Sequence, residues 1–120
     1  MTSTRQQKVQ ELLKSEISDI IRRDVKDPRL GFITITDAKV TPDLRSAKVF
    51  VSILGDQAQK EGGMKALQSA AKFIRADFAK RVNMRTTPEI VFMQDEAMER
   101  GARLFELLER IKKDDGGEGP

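Results

Sequence analysis

Apolar positions along the chain change their spacing several times, and each change marks a boundary between elements. Val9, Leu12, Leu13, Ile17, Ile20 and Ile21 recur every three or four residues, while Arg5, Lys8, Glu11, Lys14 and Arg22 stay outside. This spacing predicts a helix over Gln6 to Asp24. Asp27-Pro28-Arg29-Leu30-Gly31 ends it, because proline disfavours helical angles in the residue before it and glycine tolerates positive φ. From Phe32 to Val40 the period drops to two, with Ile33 and Ile35 alternating against Thr34 and Thr36. Val49, Val51 and Ile53 repeat that alternation beyond Thr41-Pro42-Asp43-Leu44, so a hairpin is expected. Leu54 to Gly63, with Gly55, Asp56, Gly62 and Gly63, reads as a polar connecting loop. Met64, Leu67, Ala71, Ile74, Phe78 and Val82 then restore the helical period over a helical pair. After Thr86-Thr87-Pro88, Glu89 to Met93 is a short β-branched strand. Met98, Ala102, Phe105, Leu108 and Ile111 mark a final helix.

The expected order is therefore α-β-β-α-α-β with an added C-terminal helix: an α+β domain in which helices cover one face of an open three-stranded sheet and the other face is wet. With 120 residues there is room for one core, assigned to residues 1–113. Residues 114–120 are acidic and glycine-rich, the composition of a disordered tail. No internal repeat is present.

Composition narrows the chemistry. There is no cysteine, which removes disulfides, thiolate catalysis and cysteine-held zinc, and no histidine, the commonest general base and metal ligand. No apolar run approaches the roughly 18 residues of a membrane span, so a cytoplasmic protein without a membrane partner is expected. No Gly-Lys-Ser/Thr phosphate loop follows Gly55, Gly62 or Gly63, so nucleotide hydrolysis is not implied and no cofactor is expected. The net charge of +3 hides an uneven distribution. Residues 1–90 carry 17 Lys/Arg against 11 Asp/Glu, and residues 91–120 carry five against eight. From Lys72 to Arg85 five Lys/Arg meet one acid, Asp77. Lys65, Lys72 and Lys80 project away from the apolar stripe, flanked by Arg75 and Arg81, forming a basic ridge that suits a polyanion.

Several stretches, in order, resemble the bacterial ribosome-binding factor A family over about Gln6 to Glu109. They are Arg23-Asp24-Val25-Lys26-Asp27-Pro28-Arg29-Leu30-Gly31, Asp43-Leu44 with Ala47-Lys48-Val49, Lys65-Ala66-Leu67-Gln68 with Phe73-Ile74-Arg75, and Pro88-Glu89-Ile90. The resemblance implies a type II KH-like domain and a non-enzymatic RNA-binding factor. Its partner would be 16S rRNA in free or immature 30S subunits, where it would assist rRNA maturation and late assembly, including in the cold. An assembly GTPase acting at the same stage would be a separate partner, and a monomer is expected. The family's Ala-x-Gly interhelical kink maps to Ala70-Ala71-Lys72, where lysine replaces glycine.

On this reading Lys72, Arg75, Lys80, Arg81 and Arg85 contact phosphates, with Arg22, Lys26, Arg29, Arg45 and Lys48 extending the patch. There is no Trp or Tyr, and the six Phe fall mostly on apolar faces, so recognition by shape and charge is expected rather than stacking. Two alternatives belong to other classes. A Mg²⁺-dependent nuclease would use Asp24 with Asp27, or Asp95 with Glu96 and Glu99, but these acids sit naturally at a helix end and turn and at a helix start, and that reading is preferred. A protein-interaction adaptor would use the stripe Met98, Ala102, Phe105 and Leu108, which is expected instead to pack on the domain's own core.

Overall fold

The computed structural model describes residues 2–95 and 105–111. Helix α1 (Thr4–Asp24) leads through a 3₁₀ turn (Pro28–Leu30) into strands β1 (Ile33–Val40) and β2 (Ser46–Ile53), then helix α2 (Gln57–Arg81) and strand β3 (Glu89–Gln94). The sheet order is β1-β2-β3, antiparallel between β1 and β2 and parallel between β2 and β3. Parallel neighbours need a crossover, and α2 supplies it. The α+β class and the three-stranded sheet agree with expectation.

Helix α1 begins with a capping box: the Ser3 hydroxyl accepts from the Gln6 N–H and the Gln6 side chain accepts from the Ser3 N–H. Gln6 also donates through Nε2 to the Val40 carbonyl at 3.0 Å, and Gln10 accepts from the Val40 N–H at 3.1 Å. Two glutamines thus satisfy the backbone at the end of edge strand β1 and fix α1 against it.

The sheet's inner face carries Ala38 and Val40 from β1, Ala47, Val49, Val51 and Ile53 from β2, and Ile90 and Phe92 from β3, all buried. A register shift between Ile35 and Asp37 explains why odd positions face inward early in β1 and even positions later. Against this face α1 lays Val9, Leu13, Ile17 and Ile20, and α2 lays Leu67, Ile74 and Phe78. The open face holds Lys39, Lys48, Val91 and Met93, so it is less polar than expected.

Three expectations need correction. Leu54–Gly63 is not a loop throughout, because helix α2 starts at Gln57. Asp56 accepts from the Gln59 N–H, and the Gln59 side chain accepts from the Asp56 N–H, both at 2.8 Å. This second capping box nucleates a helix that runs on through Gly62 and Gly63. Gly63 lies within the helix because a Cβ there would meet Ile53 Cδ1 at 2.9 Å: the glycine permits close approach of helix and strand. Second, the expected helical pair is one helix, continuous through Ala70, Ala71 and Lys72, and Leu44 is the only non-glycine residue with positive φ among the described residues. Lysine and alanine are good helix formers, and nothing at Lys72 interrupts the ladder. Third, Phe105 and Leu108, in the helical segment 105–111, are 64% and 53% exposed rather than packed on the core. The sheet's inner face is already closed by α1 and α2, leaving Ile90 and Phe92 without need of a further cover. Met98, Ala102 and residues 112–120 lie outside the described residues.

Candidate nucleic-acid interface

Helical geometry sorts the cations of α2 by direction. The buried residues Gly63, Leu67, Ile74 and Phe78 define the inner side. Lys65 and Lys72 are seven apart and project opposite to it, with Lys80 eight further on and Arg75 flanking. All four are exposed. Lys65, Lys72 and Lys80 form no ion pair among the described residues, so their charge is available to a ligand. The Arg75 Nη2 donates to the Thr87 carbonyl at 2.8 Å, which holds it over the connection between α2 and β3. That connection carries Arg85, and the Glu89 N–H donates to the Arg45 carbonyl at 2.8 Å, placing the hairpin turn alongside. Arg85 and Arg5 also line a cleft of about 380 Å³ between the start of α1 and the hairpin turn.

Arg81 does not belong to this surface. It lies seven residues after Ile74 and three after Phe78, which turns it toward α1. Its Nη1 reaches Asp19 at 2.6 Å and Glu16 at 3.2 Å, and its Nη2 reaches Asp24 at 3.1 Å and Asp77 at 3.9 Å. The Asp19 hydrogen bond, helped by those from Glu16 and Asp24, pushes the Arg81 pKa up. The same contacts act on the acids. Arg81 and then Arg22 hold Asp19 below the usual carboxylate range. Asp24 is lowered first by its hydrogen bond with Asp77 and then by Arg81. Asp77 is raised by the nearby Asp24 carboxyl and by burial. The cluster is an electrostatic latch between the two helices.

The remaining expected contacts divide between two other places. Arg22, Lys26 and Arg29 sit at the C-terminal end of α1 and the 3₁₀ turn, with Arg22 paired to Asp19 and Arg29 to Asp27, each at 2.7 Å. Lys48 stands on the open sheet face beside Lys39, away from the helices. The ten residues therefore do not make one patch. Lys72, Arg75 and Lys80, with Arg45 and Arg85 near the α2–β3 connection, make the largest group.

Aromatic placement corrects a further expectation. Phe78 and Phe92 are buried, but Phe32 and Phe73 are exposed, and Phe73 stands on the outer side of α2 among the lysines. Its neighbour Ile74 takes the buried position, so adjacency alone hides which of the two faces out. The carboxylates considered as metal ligands have other partners: Asp24 meets Arg81, Asp27 caps the 3₁₀ turn and pairs with Arg29, and Asp95 accepts from the Thr36 hydroxyl at 2.6 Å. Glu96 and Glu99 lie outside the described residues. Among the described residues no helix is long and apolar enough to cross a membrane.

The family model for ribosome-binding factor A matches residues 5–108. The chain belongs to the ribosome-binding factor A family. It is 49% identical to ribosome-binding factor A of Halothermothrix orenii, over 96% of this chain and 94% of that protein. To the protein of that name in Desulfitobacterium hafniense it is 45% identical, over 96% and 92%. The crystal structure of ribosome-binding factor A from Thermus thermophilus superimposes with a TM-score of 0.66 at 27% identity, covering 74% of this chain and 94% of that one. A homology model of Thermus thermophilus ribosome-binding factor A, fitted into a cryo-EM map of its complex with the 30S subunit, matches with a TM-score of 0.62 at 29% identity, covering 72% of this chain and 91% of that one. The helices and mixed sheet are thus those of the ribosome-binding factor A fold.

Proposed function

We propose that this protein is a non-enzymatic RNA-binding factor of the small ribosomal subunit, which docks on free or immature 30S particles through the outer side of α2. The observation that carries the reading is the row Lys65, Lys72 and Lys80, exposed and without counter-ions among the described residues. A folded rRNA junction presents phosphates that such a row meets without reading bases. The Thermus thermophilus relative fitted to a 30S complex supports the choice of partner. The order of helices and strands in this chain suits a type II KH-like domain in which the face of α2 replaces a phosphate-clamping loop. Assistance to 16S rRNA maturation, a greater need in the cold and action in the cytoplasm as a monomer complete the proposal. A GTPase at the same step would be a separate protein, because the chain has no phosphate-binding loop signature.

The exposed Phe105 and Leu108 favour a second contact, with a ribosomal or assembly protein, beside the RNA contact. Co-sedimentation with separated subunits across a salt series tests the main reading. Association with 30S that weakens steeply with salt is expected, because each neutralised phosphate releases counter-ions. Equal association with both subunits would reduce the ridge to non-specific basicity. Cells lacking the protein should accumulate small-subunit precursors, most of all at low temperature.

A further inference from the structure

We infer that Phe73 is a stacking platform for an unpaired nucleobase, with Lys72 and Lys80 holding phosphates on either side of that nucleotide. This rests on the RNA-binding reading above and adds a base contact to what charge alone provides. Phe73 is 51% exposed and is the one large apolar side chain that α2 turns to solvent. A single exposed apolar residue is ordinary in itself. What distinguishes Phe73 is its surroundings. Its neighbours one turn away are Ser69 and Ala70 on one side and Ala76 and Asp77 on the other. The first three are too short to cover the ring. Asp77 is partly buried and its carboxyl lies 3.9 Å from Arg81, so it is drawn toward α1. The free part of the ring is thus bordered by small side chains, and Asp77 is the only acid between Ala66 and Arg81.

Lys72 is adjacent in sequence, and Lys80 stands two turns, about 11 Å, further along the axis. Neither is committed to an acid among the described residues. An apolar protein surface would find only one ring here, among alanines, serine and lysines. A planar base joined to phosphates matches both components, because every base offers a π-face to an aromatic side chain while lysines take the backbone charge.

The test measures affinity of the full chain for purified 30S subunits across a salt series, with unfolding midpoints for every variant. Phe73→Ala should weaken binding roughly 5- to 150-fold, the span for removing one stacked base. Phe73→Leu, which keeps apolar bulk without a π-face, should weaken it nearly as much, whereas Phe73→Trp should bind at least as tightly as the native chain. The slope of log affinity against log salt should not change in any of them, since no charge is removed. Native affinity in the Leu variant would make the contact merely apolar and overturn the proposal. A fall in unfolding midpoint large enough to account for the weaker binding in both the Ala and Leu variants would make the ring structural, with the same consequence. A photo-crosslinking benzophenone side chain at position 73 should attach to rRNA, and attachment only to a ribosomal protein would overturn the proposal. If the native chain itself fails to bind 30S, the underlying reading falls with it; if it binds and Phe73→Ala binds equally well, only the stacking contact falls.

Discussion

On the side of α2 that faces solvent, Lys65, Lys72 and Lys80 have no ion-pair partner among the described residues, whereas on the side that faces α1 Arg81 meets Glu16, Asp19, Asp24 and Asp77. The two sides differ by direction, not by residue type. A cation at a position that continues the buried stripe is delivered to the neighbouring helix, where α1 presents acids. One set back by half a turn is delivered to solvent. Positive charge in a sequence is therefore not the same quantity as positive charge that a polyanion can reach.

Charge reversal on the outer side should have the largest effect. Lys72→Glu with Lys80→Glu should weaken 30S association on the order of 100-fold, at about 1.5 kcal/mol for each charge-assisted hydrogen bond removed. The unfolding midpoint of this double variant should stay near native, because both side chains are exposed. A subunit-binding assay beside a urea titration checks this; failure of the double variant to fold would merge the two sides.

Arg81→Gln should do the reverse, lowering stability while leaving affinity unchanged. Its pH dependence is specific. Asp19 and Asp24 have folded values below the ordinary 3.8, so the stability they contribute is present above that pH and is lost as pH falls through their lowered values. Removing the Arg81 guanidinium should shrink this acid limb. Asp77 has the opposite sign: its folded value is raised, so the stability it contributes is full below 3.8 and is lost as pH rises through the raised value. Asp77→Asn, which does not titrate, should remove that decline. Urea midpoints measured from pH 3 to pH 7 separate the two, and a pH profile identical in the native chain and both variants would mean that the latch is not formed.

Arg81 and the elements around it show where sequence reasoning succeeds and where it stops. Periodicity located α1, both hairpin strands and β3 to within a few residues, because one-sided burial writes itself into the spacing of Val9 to Ile20 and of Val49 to Ile53. It could not find the start of α2, since Gly62 and Gly63 look like breakers until Ile53 is seen beside the second of them. The cap Asp56-x-x-Gln59 was the signal available there. For Arg81 the information was also present, in its spacing from Ile74 and Phe78, but the acids that receive it come from a helix more than fifty residues away. The separation of Lys48 from the ridge required the sheet register, and the exposure of Phe105 and Leu108 depends on how completely α1 and α2 already cover the sheet.

Glycine substitutions sharpen the comparison further at the other end of α2. Gly63→Ala places a methyl against Ile53 Cδ1, and overpacking of about 1–3 kcal/mol outweighs a helix-propensity gain of about 1, so net destabilisation is expected. Adding Ile53→Val, which removes that Cδ1, should relieve part of it. Gly62→Ala meets nothing closer than Arg29 Cβ at 3.9 Å and should stabilise by up to about 1 kcal/mol. The smallest change in stability belongs to the outer side: Lys72→Gly should cost about 0.5–1 kcal/mol, the usual penalty for glycine inside a helix, and a stabilised variant would contradict the continuous backbone found there.

The division of α2 into a binding side and a latch side is tested most directly by the salt dependence of 30S affinity in two variants measured together. Lys72→Gln with Lys80→Gln should flatten the slope of log affinity against log salt by roughly 1.4–1.8, the counter-ion release of two phosphate contacts. Arg81→Gln, held at a temperature where it is fully folded, should leave the slope at its native value. A slope flattened by Arg81→Gln but unchanged by the lysine pair would contradict the assignment of the two sides.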